Sequence, residues 1–437
     1  MKMLILSTFL ISGGVWAQDK DLDNLIKLTK EKSLALEASK ENLKAAQIEK
    51  DRSAKHWLPQ VYLSGQSFVT NDPGTSLFSK MSQRKITAND FAPDDLNHPS
   101  TDQYSKLALG VNLPLYEGGQ KSSIKSALTF AEEAKRSEDT ALKIEFYNEV
   151  VKNYISAKNL KVEKSQLVEI NSMIDSVIKK YEIGNKSNPI GYSGLLGLKS
   201  LKNRLNAQLE ENNAKFSGVT NALSELAGSN VEIKVAPDFK AQTLMNDYLA
   251  FDQKTYKVSK NVEAMFFNAQ SAKEIIGAEK SRNLPRIGLF GEGYGFNGER
   301  GTGKGFSTGI YINWNLFSGS DVGASTEALH KSHAAQYFAE ANAQKEKMKY
   351  EGLLEGKLAV EKSLKLLDDS EGYLEEQTKI SHNLFKNGLI NALQYVEVLS
   401  RRVDLIKSKS QALNELLNIQ SELSKLSNNN IEEGVTK

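Results

Sequence analysis

The feature that most constrains this chain is an internal duplication. Three matched pairs of segments occur in the same order in both halves of the 437 residues: 54–61 (AKHWLPQV) with 279–287 (EKSRNLPRI), 113–119 (LPLYEGG) with 314–320 (WNLFSGS), and 181–184 (YEIG) with 385–388 (FKNG). A period of roughly two hundred residues is far too long for a solenoid and indicates a duplicated domain. Each half is predicted to run helix, strand, loop, strand, long helix, tight break, helix.

Each half contains two segments that alternate in hydropathy. In the first half Leu107, Leu109, Val111, Leu113 and Leu115 share one face, and in the second Phe306, Thr308, Ile310, Ile312, Trp314 and Leu316 do so. The partner segments, 61–69 and 287–291, alternate less regularly. A period of two over about ten residues is typical of a tilted membrane strand. A half-buried strand in a soluble sheet would give the same pattern.

The helical segments have the spacing of coiled coils. No proline interrupts residues 118–181, and apolar residues follow a three-four spacing there (Leu167, Ile170, Ile174, Val177, Tyr181) and in the last helix (Val396, Leu399, Val403, Ile406, Ser410, Leu413, Leu417). An unbroken helix over 118–181 would be on the order of 95 Å long. Such a rod cannot wrap around a compact core, so we expect it to pack laterally against similar rods.

The N-terminus has the order of a secretory signal peptide. Lys2 is followed by the mostly apolar run 3–11, and 15–17 (VWA) ends in a small residue suited to cleavage before Gln18. That run is too short for a membrane-spanning helix, which needs about 20 residues, and no later segment approaches that length. We therefore expect an exported protein that, if it enters a membrane, does so with β-strands.

Composition narrows the possible functions. The chain has no cysteine, which excludes disulfides, thiolate zinc sites and cysteine nucleophiles. Its 56 Lys and Arg residues nearly balance 54 Asp and Glu residues, so charge gives no indication of nucleic-acid binding. Four strands cannot close a membrane sheet, because the smallest barrels have about eight. Several copies must share one barrel, and the sequence alone leaves two, three or four copies open.

Taken together, the signal peptide, the duplicated unit, the strand entries and exits and the Tyr/Phe-x-x-Gly breaks resemble the TolC family of outer membrane efflux proteins. Residues 84–91 and 96–99 also resemble an extracellular loop of that family. The resemblance covers nearly all of the mature chain. It implies a mixed α and β membrane protein, a homotrimer with a twelve-stranded barrel in outer membrane lipid, and a periplasmic α-helical barrel.

The resemblance also implies a function. It indicates a passive exit duct, not an enzyme, serving efflux or type I secretion with a periplasmic adaptor and an inner-membrane pump or exporter. The alternative is a periplasmic coiled-coil adaptor or scaffold, which leaves the four symmetrically placed strands unexplained. The expected organisation is a signal peptide (1–17), a first repeat (18–228), a linker (229–248), a second repeat (249–428) and a C-terminal tail (429–437).

The two helix breaks are the candidate sites. In the family they form the periplasmic mouth, which acidic residues after the second break can narrow. Those positions fall here on Gln394 and Glu397, and only one is acidic; the first half has Ile190 and Ser193 instead. Because each break pairs an aromatic with a glycine, we expect adaptor docking at the set Tyr181, Gly184, Phe385 and Gly388.

Other chemical motifs favour structural explanations. Residues 298–304 (GERGTGK) match a phosphate-binding loop, but Gly305 replaces the Ser or Thr that would bind magnesium, so a hairpin loop is predicted. His330 and His333 are three apart without a third ligand, which favours a solvated helix face over a metal site. The pair Asp368-Asp369 is predicted to be a solvated charged patch. No catalytic residue, metal or other cofactor is expected.

Overall fold

A computed structural model describes residues 20–181, 189–236, 239–251 and 256–427. Its elements in chain order are α1 (Lys20–Lys32), α2 (Leu34–Ser53), β1 (Gln60–Thr70), α3 (Pro73–Ser82), α4 (Pro93–Asn97), β2 (Asp102–Glu117), α5 (Gln120–Tyr181), α6 (Pro189–Ala227), α7 (Ala241–Tyr248), α8 (Lys260–Lys280), β3 (Arg286–Gly298), β4 (Gly301–Asn313), α9 (Ala324–Lys386) and α10 (Ala392–Leu426). The expected signal peptide (1–17) and tail (429–437) lie outside the described residues.

Each half of the chain contributes to two compact units, so the units do not coincide with the sequence repeats. Among the described residues, the helical unit comprises 20–41, those of 137–263 and 341–427, and the sheet unit comprises 42–136 and 264–340. The long helices α5 and α9, of 62 and 63 residues, run from the sheet unit into the helical unit. They confirm the long helix expected in each half, which for the first half was predicted from the proline-free segment 118–181.

The sheet unit contains one antiparallel sheet in the order β1-β2-β3-β4. The central β2–β3 pairing joins the hairpin of the first repeat to that of the second. The strand expected over 306–316 instead spans Gly301–Asn313. Asn313 pairs with Arg286, and the preceding Pro285 has no N–H to extend the ladder. Trp314 and Leu316 therefore follow the strand.

Glycine sets the turn that leads from β2 into α5. Gly118 and Gly119 have φ values of +67° and +82°, in the region that L side chains rarely adopt. A Cβ on Gly118 would also lie 2.8 Å from the carbonyl oxygen of Ser281. The matched segment of the second half has Gly319 in a short 3₁₀ turn and Gly323 at φ +84° just before α9.

Two large apolar clusters, beside a smaller one around Tyr350 and Leu423, hold the helical unit together. The first joins α1, α5, α6, α7, α9 and α10 around Leu22, Tyr154 and Leu417. The second joins α5, α6 and α10 around Ile170, Leu205 and Leu399 and confirms the three-four spacing of the sequence. None of the helices in the described ranges combines the length and the apolar character needed to cross a membrane.

The segment expected to be a linker, 229–248, is part of the first cluster. It contains α7, and Ile233, Ala241 and Met245 are buried. Its sequence has few long apolar runs because only one side of a short helix packs inward. The segment therefore serves as a structural element of the helical unit.

Candidate functional site

One face of the sheet is apolar and exposed. The register brings residues of all four strands to this face: Val61, Leu63, Leu107, Leu109, Val111, Leu289, Phe306, Ile310 and Ile312. Leu63 is 68% exposed and Phe306 is 82% exposed. Contiguous apolar surfaces of this kind mark membrane or protein contacts. The alternation predicted from the sequence is confirmed, and its apolar side is the side that nothing in the sheet unit covers within the described residues.

The opposite face of the sheet is polar and carries a linked group of side chains. Lys106 Nζ donates to Glu292 Oε1 at 2.8 Å, and Tyr62 Oη donates to Glu292 Oε2 at 3.2 Å. The Lys106 ammonium also lies 5.0 Å from the centre of the Tyr294 ring. This face therefore carries charged and hydrogen-bonding side chains, whereas the opposite face of the sheet is apolar. The sequence does not indicate this group, because its members come from three strands whose pairing register depends on the folded sheet.

Glycines on the polar face make room for aromatic rings. Four glycines each lie under a ring of the neighbouring strand: Gly110 under Tyr62, Gly288 under Tyr311, Gly305 under Tyr294 and Gly309 under Phe290. A Cβ at these glycines would come within 2.2–3.0 Å of a ring atom. The glycine at 288, which interrupts the alternation of the sequence, therefore has a packing role.

The loop between β1 and β2, residues 71–101, packs on this polar face near the β3–β4 turn. α3 lies against β3 and β4, and a Cβ on Gly303 would be 2.1 Å from the carbonyl oxygen of Ser82. Beneath the loop, Tyr104 and Phe296 are buried, with ring centres 6.1 Å apart. The loop thus covers one end of the polar face.

An ion pair between the buried Asp90 and the half-buried Arg300 fixes the loop to the β3–β4 turn. Arg300 Nη1 donates to Asp90 Oδ2 at 2.6 Å, and Asp90 also accepts from the backbone N–H of Thr87 at 2.7 Å. The Arg300 backbone N–H donates to Gln83 Oε1 at 2.9 Å. The Arg300 guanidinium, aided by the Thr87 bonds and opposed by burial, holds the pKa of Asp90 well below its usual range.

The phosphate-loop motif at 298–304 contains this β3–β4 turn. Gly298 pairs with Gly301 in the antiparallel ladder, so only Glu299 and Arg300 form the turn. The predicted hairpin is confirmed. No helix follows the motif, and its backbone N–H groups cannot converge on a phosphate as they do at a helix N-terminus.

The second helix break lies between Lys386, where α9 ends, and Ala392, where α10 begins. Gly388 has φ +73°. Phe385 is half-buried and stacks on the buried Tyr395, with ring centres 5.3 Å apart. Leu389, by contrast, is 71% exposed. A groove of about 820 Å³ borders this turn, with Val177, His382 and Gln394 among its lining residues.

The two expected aperture residues are both exposed and both have local partners. Gln394 and Asn391 form a capping box, each side chain bonding the other's backbone N–H at 3.0 Å. Glu397 accepts from Arg401 Nη2 at 2.5 Å, one helical turn away. In the first half, α5 ends at Tyr181 and α6 begins at Pro189. Gly184 lies outside the described part of the chain, as do the side chains of Tyr181 and Ile190.

Two remaining motifs have distinct outcomes. His330 and His333 are exposed on α9, and no group of three metal-ligating side chains occurs in the described ranges. Asp368 and Asp369 are exposed, as expected, and the Asp368 carboxylate also lies 2.7 Å from Lys409 Nζ on α10. Lys409 also binds Glu371 at 2.5 Å. The sequence could not reveal this pair, because it joins two helices whose register depends on tertiary packing.

No protein-family model matches the sequence, and a sequence comparison with characterised proteins gives no match. The structure is similar to that of CusC, whose folding and transmembrane channel formation have been described, with a TM-score of 0.73 at 12% identity over 93% of this chain and 91% of CusC. For the outer-membrane channel OprN the TM-score is 0.74 at 13% identity over 94% of this chain and 91% of OprN.

The open state of the Neisseria gonorrhoeae outer membrane channel MtrE is also similar. Its TM-score is 0.74 at 14% identity, over 93% of this chain and 89% of MtrE. These likenesses span almost the whole of each chain and establish the fold. The chain has the fold of TolC-like outer membrane channels, as the sequence resemblance predicted.

Proposed function

We propose that this protein is an outer membrane exit duct, a passive conduit for efflux or type I secretion. The observation that carries the proposal is the exposed apolar face of a four-stranded sheet whose edge strands are β1 and β4. In hydrocarbon, each unsatisfied backbone group costs several kcal/mol, so edge strands must find partners. Further copies of the chain can supply them. The shared fold of known outer membrane channels supports this proposal.

Three copies would contribute twelve strands to one closed barrel, the number that the resemblance implies. The apolar face would meet outer membrane lipid. The polar face, with Tyr62, Lys106 and Glu292, would then line an aqueous lumen. The long helices of the three copies would pack side by side as a periplasmic barrel that continues the conduit.

Fractionation and native mass spectrometry test this proposal. The protein should remain in the outer membrane through salt and urea washes and should appear as a homotrimer in detergent. Release by the washes would instead favour a periplasmic coiled-coil scaffold. A folded monomer in detergent would rule out a barrel shared between copies.

A passive duct needs an energy source outside itself. We propose a periplasmic adaptor and an inner-membrane pump or exporter as partners, with docking at the two helix breaks through Tyr181, Gly184, Phe385 and Gly388. Phe385 stacks on Tyr395 within the protein, which leaves less of its ring available for an adaptor. The exposed Leu389 is better placed than Phe385 to supply apolar contact area at the second break.

The proposed periplasmic aperture involves Gln394 and Glu397. Both side chains are exposed, as pore-lining groups must be. Gln394 is already engaged in the capping box, so its contribution would be to fix the start of α10. Glu397 is the group that can place charge in the aperture, with Arg401 as a nearby counter-charge.

A further inference from the structure

The helix α3 is amphipathic, but its polar side is buried and its apolar side is exposed. Its buried residues are Ser76 and Ser79, followed by the buried Gln83 just after its end. Its exposed residues include Phe78, which is 67% exposed, and Met81, which is 46% exposed. At 100° per residue, the buried positions share one side of the helix and Phe78 and Met81 lie on the opposite side. An isolated soluble loop gains nothing from exposing its apolar side chains while burying its serines.

The polar side of α3 faces the sheet. Ser82 and Gln83 lie against Gly303 and Gly298, and the Gln83 amide bonds the backbone N–H of Arg300. Gly303 pairs with Phe296, which pairs with Lys106, so these contacts are on the polar face of the sheet. Phe78 and Met81 therefore point away from the polar face, into the space that this face borders.

We propose that Phe78 and Met81 of the three copies meet one another and form an apolar constriction at one mouth of the duct. This inference rests on the proposed trimeric duct. If the apolar face of the sheet meets lipid, the polar face must curve around the common axis. The side of α3 that faces away from the sheet then points toward this axis and faces the same surface of the other copies.

The loop is attached firmly enough to hold such a constriction in place. Asp90 is only 4% exposed and is bound by Arg300, with Lys80 of α3 at 3.8 Å. Asp72 caps the start of α3 by accepting from the backbone N–H of Thr75 at 2.7 Å. A ring of apolar side chains in a narrow passage excludes water and ions unless it is widened. The constriction would therefore limit ion leakage while no cargo passes.

Single cysteines give a direct test of proximity, because the chain has no native cysteine. We expect Phe78→Cys to form cross-linked dimers in intact cells on treatment with a short bismaleimide. Ser79→Cys is the matched control: it lies on the buried side of the same helix and should not cross-link. Efficient labelling of Phe78→Cys by a soluble monomaleimide without any cross-linking would show that this surface is open to the medium and would overturn the proposal.

Conductance gives a second test that does not depend on cross-linking geometry. The Phe78→Ser, Met81→Ser double variant should raise single-channel conductance in planar bilayers severalfold, because polar side chains let water into the passage. Both residues are exposed, so the variant should still fold. Unchanged conductance in a variant that remains trimeric would overturn the constriction alone. Absence of a trimer in the unmodified protein, by native mass spectrometry, would instead overturn the proposed duct.

Discussion

Two connecting segments of this chain are held in opposite ways. The loop 71–101 is fixed by distant contacts, chiefly the bond between Asp90 and Arg300, which are 210 positions apart. The turn between α9 and α10 is fixed by its neighbours, through the positive φ of Gly388 and the capping box of Asn391 and Gln394. The loop therefore depends on tertiary structure, whereas the turn is specified by its own sequence.

The ion pairs of the two regions show why distance alone does not measure an interaction. Arg300 and Asp90 are 2.6 Å apart, and Arg401 and Glu397 are 2.5 Å apart. The Asp90 side chain is 3% exposed, whereas that of Glu397 is 63% exposed. Water screens the second pair, and its loss leaves no buried charge behind. Loss of Arg300 would leave the Asp90 carboxylate poorly solvated, whereas Arg300 itself is 31% exposed.

The largest effect, on efflux, is expected from substitutions in both helix breaks, at Gly388 between α9 and α10 and at Gly184 in the first half. Leu at both Gly184 and Gly388 should abolish efflux in cells while trimer formation and membrane insertion remain intact. A leucine at φ +73° is strained, and its side chain would keep a partner backbone at a distance. Dye efflux from living cells is the measurement, with native mass spectrometry for the assembly.

A control for this double variant is Gly218→Leu, at an exposed glycine of α6 where a Cβ would have open space. It should export normally. Normal export by the Gly184, Gly388 double variant would contradict docking at the helix breaks. The adaptor would then bind the sides of the helical barrel. The turn would then be locally specified but not essential for transport.

A smaller effect is expected from the same chemical change made in each ion pair. Asp90→Asn should lower the local stability of the loop by about 2 kcal/mol, because Arg300 loses its charged partner. Amide hydrogen exchange in 71–101 should then be roughly thirtyfold faster. Glu397→Gln should change local stability by less than about 0.5 kcal/mol.

A double-mutant cycle with Arg300→Gln separates the pair from the other contacts of Asp90. If the pair holds the loop, the effects of the two substitutions should be strongly non-additive. Additive effects would show that the Thr87 bonds to Asp90, and not Arg300, fix the loop. Equal effects of Asp90→Asn and Glu397→Gln would contradict the contrast between buried and exposed pairs.

The lowered pKa of Asp90 predicts how the stability of the loop 71–101 depends on pH, an effect smaller than that of the substitutions. Because Arg300 depresses this pKa in the folded state, the stabilisation is fully present above the ordinary Asp value of about 4 and is lost as pH falls through the depressed value. Exchange protection of the loop, corrected for intrinsic rates, should be equal at pH 7 and pH 5. A decline of protection below about pH 4 that is the same in the unmodified protein and in Asp90→Asn would show that this carboxyl titrates normally in the folded state.

Local features of the fold could be predicted from the sequence, and long-range ones could not. The strand alternation of 107–115, the helix over 118–181 and the break at Gly388 each depend on residues that are neighbours in sequence. The strand end at Asn313 depends instead on its pairing with Arg286, beside Pro285. The role of α7 depends on the packing of Met245 among several helices.

In the candidate sites too, local features could be predicted from the sequence and long-range contacts could not. Gln394 and Glu397 are exposed beside the turn, because Gly388 and Asn391 set the start of α10 locally. Their role in an aperture stays a prediction. The polar group of Tyr62, Lys106 and Glu292 required the register of three strands. The contact of Asp90 with Arg300 required the fold of the whole sheet unit. No sequence signal short of covariation between these positions would have indicated it.

The smallest effect is expected from the exposed pair at the turn, and it concerns ion preference. Three copies of Glu397 around a narrow pore would attract cations, because rings of like charge focus the potential at a constriction. The adjacent Arg401 offsets part of that charge. Glu397→Gln should therefore reduce cation preference slightly in planar bilayers, and Arg401→Gln should increase it. Reversal potentials under a salt gradient measure both, and block by multivalent cations should change in the same order. If neither substitution moves the reversal potential, both side chains lie away from the lumen, and the exposed pair serves only the surface of α10.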